Sequence, residues 1–325
     1  MKFKKIAAII SAAAVVLALT GCRKDSKPAA GSNNTQSAHS GDTSSKPSES
    51  KPAASSPAAD LPDIPVNDAS AFEYSFNSEL GGMVITGYKL SDTMVHIPET
   101  LDNEIVVEVN LKDIEKNITH LIMPDSVKKF SLSNATKRGL KYIYIPTGVT
   151  EIGAHGLAYC DIIRTITIPD SVTSLGFSAF EGCQSVTDIT VPDSVTSIDG
   201  CAFKDCGNLL KITIPKGITK IEYQTYENCG SVESVTIPDG VTEIGESAFS
   251  GCRNLKDLTL GSGLTKIGAQ AFAFCKNLES ITLPNSVTEI AADAFANSEN
   301  VKVIYKDKTF DYAHIEDLYN AINGS

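Results

Sequence analysis

The sequence predicts a repeat solenoid with a parallel β-sheet along one face. An N-terminal β-hairpin cap and a short C-terminal capping helix are expected to close it. Three observations carry this. A proline recurs at Pro124, Pro146, Pro169, Pro192, Pro215, Pro238 and Pro284, with Gly261 in the same slot, in steps of 22 and then always 23 residues. Apolar side chains sit six, three and one residues before it, as at Leu209, Ile212 and Ile214, or Leu255, Leu258 and Leu260. The segments on either side of this array leave the period.

The chain opens on Lys2, Lys4 and Lys5, followed by an apolar run from Ile6 to Leu19 that is short for a spanning helix. The run ends at Leu19-Thr20-Gly21-Cys22, which resembles the lipobox of bacterial lipoproteins. That resemblance implies cleavage before Cys22 and acylation of its thiol, so residues 1–21 are expected to be a lipoprotein signal peptide. An ordinary secretory signal with a chance cysteine is the alternative. Losing residues 1–21 removes three lysines and no acids, taking the formal charge from −11 to −14. So acidic a chain argues against nucleic acid and against electrostatic attachment to anionic lipid. Membrane attachment would then come from acyl chains on Cys22.

Residues 22–60 hold the anchor cysteine and a Ser/Pro/Ala tether. From 23 to 60 there is no Val, Ile, Leu, Met or aromatic residue, and Ser, Ala and Pro fill 21 of 38 positions. Such a segment has no apolar surface to offset its ordering entropy. As a flexible coil it spans roughly 31–37 Å, which keeps the folded part near its membrane. Residues 61–110 read as the N-terminal β cap. Within it, Val95-His96-Ile97-Pro98 ends on a proline 26 residues before Pro124, off the period, and is taken as hairpin rather than repeat.

Residues 111–300 hold the eight units. Their L-x-x-L-x-L wording is the strand signature of a leucine-rich repeat. One unit cannot bury its own apolar side. Stacked about 4.8 Å apart, the units form a parallel sheet over a continuous core. The proline ends the strand and removes a donor where the chain turns away. The glycines of "IG" (Gly153, Gly176, Gly245, Gly268) are expected to serve a tight or left-handed turn. An aromatic column is expected at Phe180, Phe203, Tyr226, Phe249, Phe272 and Phe295. The repeated I-x-I-P-x-S-V-T-x-I-G-x-x-A-F-x-x-C wording resembles the BspA-like leucine-rich repeats of bacterial surface proteins. Phe72-Glu73-Tyr74 and Ile85-Thr86-Gly87-Tyr88 look like that family's N-terminal cap. Residues 301–325 read as two strands and a capping helix with Ile315, Leu318, Tyr319 and Ile322 on one face.

Cys160, Cys183, Cys206, Cys229, Cys252 and Cys275 share one slot, filled by Ser298 in the last unit. A column of reduced, buried thiols is expected. Disulfides between neighbouring units are the alternative, because the ladder spacing lies within bridging range. Cys201 stands off the ladder and is expected to be exposed and reactive. No His or Cys cluster has metal spacing, and no Walker A, G-x-S-x-G or EF-hand wording occurs. Neither catalysis nor a cofactor is expected.

The outward face of the sheet, the usual concave ligand face of leucine-rich repeats, remains as the functional surface. Alternation places the residues four and two before each proline on it. Most are Thr, Ser, Asp or Lys. His120, Ile122, Tyr142 and Tyr144 differ, forming an aromatic patch beside Thr165 and Thr167, and these six are the candidate ligand-binding residues. The family resemblance implies adhesion to a surface protein or glycan of a host or a neighbouring cell. The alternative is a structural envelope scaffold without a diffusible ligand. An enzyme with an unrecognised site is more remote.

Overall fold

The structure is a computed structural model that describes residues 64–111, 118–132 and 139–324. The signal peptide, Cys22 and the tether lie outside the described residues.

Each turn of the solenoid contributes two short strands, except the Pro215 turn, which contributes only the second. The first covers the residues four to two before the proline. Thr165–Thr167 pairs in parallel with Asp188–Thr190, and Ser234–Thr236 with Asp257–Thr259, each residue meeting its counterpart one turn on. Ile166, Ile189 and Val235 point inward and are buried, while the flanking Thr, Asp and Ser side chains are exposed. The proline carbonyl then accepts the N–H of the residue three further on, as in Val172 to Pro169 (3.0 Å) and Val241 to Pro238 (3.1 Å). This tight turn leads into a second line of two-residue strands. Its members Glu151–Ile152, Ser174–Leu175 and Ser197–Ile198 form one run, and Lys220–Ile221, Glu243–Ile244, Lys266–Ile267 and Glu289–Ile290 another.

The rest of each turn is held by a third set of rungs. Residues nine and thirteen after the proline take positive φ, for example Ser178 (54°) and Gly182 (69°), or Gln224 (53°) and Asn228 (60°). This lets alternate amides reach the next turn: Ser178 N–H donates to Gly200 O, Phe180 N–H to Ala202 O and Gly182 N–H to Lys204 O, at 2.7–3.1 Å. Of the two turns expected at the "IG" glycines the tight one forms: the carbonyls of Gly153, Gly176, Gly245 and Gly268 each accept the N–H three residues on, at 3.0–3.4 Å, and none of the four is left-handed. Close approach is what requires glycine there. A Cβ on Gly176 would stand 2.7 Å from the Ala154 amide nitrogen, and one on Gly245 2.8 Å from that of Tyr223.

Inside, the aromatic column forms as expected. Phe180, Phe203, Tyr226, Phe249, Phe272 and Phe295 stack with centroids 5.2–5.6 Å apart and planes within 16°. The ladder cysteines are buried, and none forms a disulfide among the described residues. Each thiol from Cys183 to Cys275 donates to the carbonyl of the column residue one turn earlier, over 3.0–3.4 Å. Ser298 repeats the contact with Phe272 O at 2.8 Å. The slot therefore selects a small side chain with a donor. Cys201, expected to be exposed, is only 5% exposed. Its thiol reaches the Gln224 side-chain oxygen (3.4 Å), and burial raises its pKa.

At the N-terminal end, Phe72–Asn77 and Gly82–Tyr88 form an antiparallel hairpin. The second of these runs parallel to Glu104–Leu111, which pairs with Lys129–Leu132 and so feeds the second strand line. One expectation is corrected here. Met94–His96 is a rung of the first line, parallel and in register with His120–Ile122. A small hairpin, Thr100–Leu101 against Glu104–Ile105, lengthens that turn. Its two-residue bend, Asp102 and Asn103 with φ of 49° and 66°, has the primed geometry that suits twisted strands.

At the other end, Lys302–Tyr305 continues the first line beside Ser280–Thr282 and folds back through Lys308–Asp311. The helix Ile315–Asn323 buries Leu318 and leans Ile315, Tyr319 and Ile322 on the core. Its Asn323 side chain bonds both the N–H (3.2 Å) and the C=O (3.0 Å) of Ile290, capping the edge of the second strand line.

Candidate functional site

The first strand line is not one unbroken sheet. Met94–His96, His120–Ile122 and Tyr142–Tyr144 form a three-stranded parallel ladder. Thr165–Thr167 opens a separate ladder with Asp188–Thr190. Register aligns Met94, His120 and Tyr142 in one column, and His96, Ile122 and Tyr144 in the other.

Of the six residues singled out from sequence, the structure joins His120, Tyr142 and Tyr144 on one surface. The His120 and Tyr142 rings stack at 6.1 Å with 26° between planes. Thr119 Oγ1 lies 2.9 Å from His120 Nδ1 and fixes that ring from behind. Tyr144 donates its hydroxyl to Asp125 Oδ1 at 3.3 Å. Desolvation raises both phenols above their ordinary range, and for Tyr144 the Asp125 carboxylate adds to it. Both therefore remain neutral hydrogen-bonding groups with apolar faces.

Ile122 departs from expectation. It was expected on the outward face, but it is 6% exposed. Its column neighbours His96 and Tyr144 are long, and they cover the shorter side chain between them. Ile122 thus becomes the apolar floor of a groove of about 330 Å³ lined also by Val66, His96, Glu99, Asp125 and Tyr144. Thr165 and Thr167 are exposed on the adjoining ladder and share no backbone ladder with the aromatic surface.

Met94, Val66 and His96 escaped the sequence reading. Met94 is 44% and Val66 56% exposed. His96 is held by Asn67, whose side-chain oxygen accepts its N–H at 2.8 Å, and its Nδ1 lies 2.8 Å from Ile64 O. The signal was present: Val95-His96-Ile97-Pro98 has strand-then-proline wording, and only its spacing hid it. A second cavity, about 400 Å³, opens between Lys256–Leu260 and Ser280–Thr282. There the ladder is interrupted beside Gly261, the one slot of the eight that lacks proline. No group of His, Cys, Asp and Glu able to hold a metal occurs among the described residues.

The sequence profile of the BspA type leucine rich repeat region matches residues 113–231 and 219–317, in six copies. The chain belongs to the BspA-type leucine-rich repeat family. Among solved structures it is similar to a leucine-rich repeat protein from Bacteroides ovatus, at 24% identity and a TM-score of 0.62, over 75% of this chain and 71% of that one. That likeness supports the BspA-type solenoid as a fold. A T. pallidum leucine-rich repeat protein matches at 26% identity and a TM-score of 0.48, over 66% of this chain and 91% of its own. A leucine-rich cell surface protein from Faecalibacterium prausnitzii matches at 23% and 0.36, over 76% and 89%. No curated protein matches the chain. The family match begins at residue 113, so Met94 and His96 lie outside it while His120, Tyr142 and Tyr144 lie within it.

Proposed function

We propose that this is a surface recognition protein, anchored outside the bacterial membrane through acyl chains on Cys22. Its solenoid would contact a surface protein or glycan of a host or neighbouring cell. One observation carries the reading. A single three-rung ladder gathers Met94, His96, His120, Tyr142 and Tyr144 around an apolar floor, while later rungs present Thr, Ser, Asp and Lys. Aromatic groups with a polar edge bury much area at low entropy cost, which suits recognition. The family relationship and the printed description of the Faecalibacterium neighbour as a cell surface protein agree with display at the surface. No catalytic role is proposed.

The test is a screen of the soluble Cys22→Ser mature chain against arrays of extracellular proteins and glycans. For any ligand found, the Tyr142→Ala/Tyr144→Ala variant should weaken binding by at least about 2 kcal/mol, the hot-spot scale. Its circular dichroism should match the wild type. Unchanged affinity in the folded variant would remove the ladder from the function.

A further inference from the structure

The arc that carries the left-handed residues presents a second aromatic surface, remote in sequence pattern from the strand face. Eight residues after each proline the chain reads Ala154, Phe177, Gly200, Tyr223, Glu246, Ala269 and Ala292. Phe177 is 37% and Tyr223 46% exposed. The interior is already filled by the ring column three residues further on, and neighbouring turns fold with Ala or Glu in this slot. Core packing therefore does not account for the two rings.

Gly200 between them explains their arrangement. Its φ lies outside the left-handed region, so the backbone does not call for glycine. A Cβ there would come within 2.5, 2.7 and 2.9 Å of three Tyr223 ring atoms. The missing side chain lets Tyr223 lie across the intervening turn, bringing its centroid 6.4 Å from that of Phe177 at 36°. His155 closes the other end, edge-on to Phe177 at 5.5 Å and 87°. Three rings over four turns make a strip with successive centroids 5.5 and 6.4 Å apart.

The flank is polar and richer in carboxylates than in cations. Asp199 and Glu222 hold the preceding position in the Gly200 and Tyr223 turns, and Gly176 holds it beside Phe177. Asp199 is exposed, and Glu222 pairs with Lys220 at 3.1 Å. Carboxylate acceptors and one ammonium donor, Lys220, shared between Glu222 and Glu243 (3.7 Å), thus border a row of ring faces.

We infer that this strip binds a neutral oligosaccharide. The C–H faces of pyranose rings would lie on Tyr223 and Phe177, and ring hydroxyls would bond Asp199, Glu222 and Lys220. An anionic glycan would be repelled by so acidic a chain. A basic peptide would find Glu222 already paired. The inference shares the recognition reading above but uses a different surface, so either can fail alone.

The test titrates the full chain with cellotetraose and chitotetraose, read by saturation-transfer NMR and calorimetry, with tetralysine and a heparin tetrasaccharide as charged comparisons. At least one neutral tetrasaccharide should bind. Phe177→Ala and Tyr223→Ala should each weaken it at least about tenfold, while Tyr223→Phe binds like the wild type. Gly200→Ala should also weaken it, since both rings remain but Tyr223 is displaced. Asp199→Asn is the milder variant should any of these fail to fold, and it too should weaken binding. Three results would overturn the inference. One is no neutral binding at about 10 mM, enough to fill about nine-tenths of a 1 mM site. Another is equal affinity in the folded variants. The third is preference for tetralysine or heparin.

Discussion

A thiol recurring every 23 residues suggests redox chemistry or metal binding, but its surroundings give it a simpler role. From Phe180 to Phe249 the carbonyl of each column residue takes an N–H from its own turn, as in Cys206 to Phe203 (3.3 Å), and a thiol from the next, as in Cys229 to Phe203 (3.2 Å). The sulfur also fills a small apolar space. Burial holds Cys229, Cys252 and Cys275 above the ordinary range, the last pushed up to about 12, so the reactive thiolate is suppressed. Labelling at pH 8 should modify few thiols in the native chain, Cys201 included, and many after denaturation without reductant. Absence of labelling in denaturant would mean disulfides. Because Ser298 makes the same contact, Cys229→Ser should cost less stability than Cys229→Ala, which loses the donor and about 1 kcal/mol. A larger loss for serine would show that sulfur packing outweighs the hydrogen bond. Tyr226 is the odd member of the column. Its hydroxyl is buried without a hydrogen-bond partner among the described residues, and burial drives its pKa far up. Tyr226→Phe should therefore stabilise the protein, by about 1 kcal/mol or more in denaturant melts. A loss of stability would place an ordered partner on that hydroxyl.

At the scale of the repeat, stability is a sum of turns and their contacts. Phe249 lies between Tyr226 and Phe272 at 5.3 and 5.6 Å, fully buried, so the void left by Phe249→Ala has stiff walls. The expected cost is about 3–5 kcal/mol. Thr236→Ala, on the exposed side of its strand, should cost well under about 1 kcal/mol. The reverse order in denaturant melts would exchange the inward and outward registers. Inward positions were legible in the sequence because period and hydrophobicity coincide: Ile166, Phe180 and Cys183 follow from the pattern alone. The second strand line was not, since two residues such as Ser174–Leu175 are too short to show alternation. The "IG" glycines left a tight and a left-handed turn both open, because glycine serves either, and the coordinates decide for the tight one. The left-handed positions fall on Ser, Gln, Asn and Cys as well as Gly, so composition concealed them. The rung at Met94–His96 was hidden by the hairpin inserted within its turn.

For the whole molecule, the array's regularity made the fold readable and also limited what could be read of the site. A repeat scaffold fixes where side chains stand, while the residues that break the pattern choose partners. Tyr142 and Tyr144 were visible as such breaks. Ile122 was misplaced because alternation says which way a side chain points and not how tall its neighbours are. The anchor and tether concern Cys22 and the residues up to 60. A Cys22→Ser chain is expected to leave the membrane fraction, and retention there would put the anchor elsewhere. The central claim, that the N-terminal aromatic ladder is the recognition surface, is tested most directly by hydrogen–deuterium exchange with a partner from the array screen bound. Added protection should fall on peptides covering Met94–Ile97, His120–Met123 and Tyr142–Ile145, with none at Asp257–Thr259 or Ser280–Thr282. Protection confined to those later strands, with the first three unchanged, would contradict it.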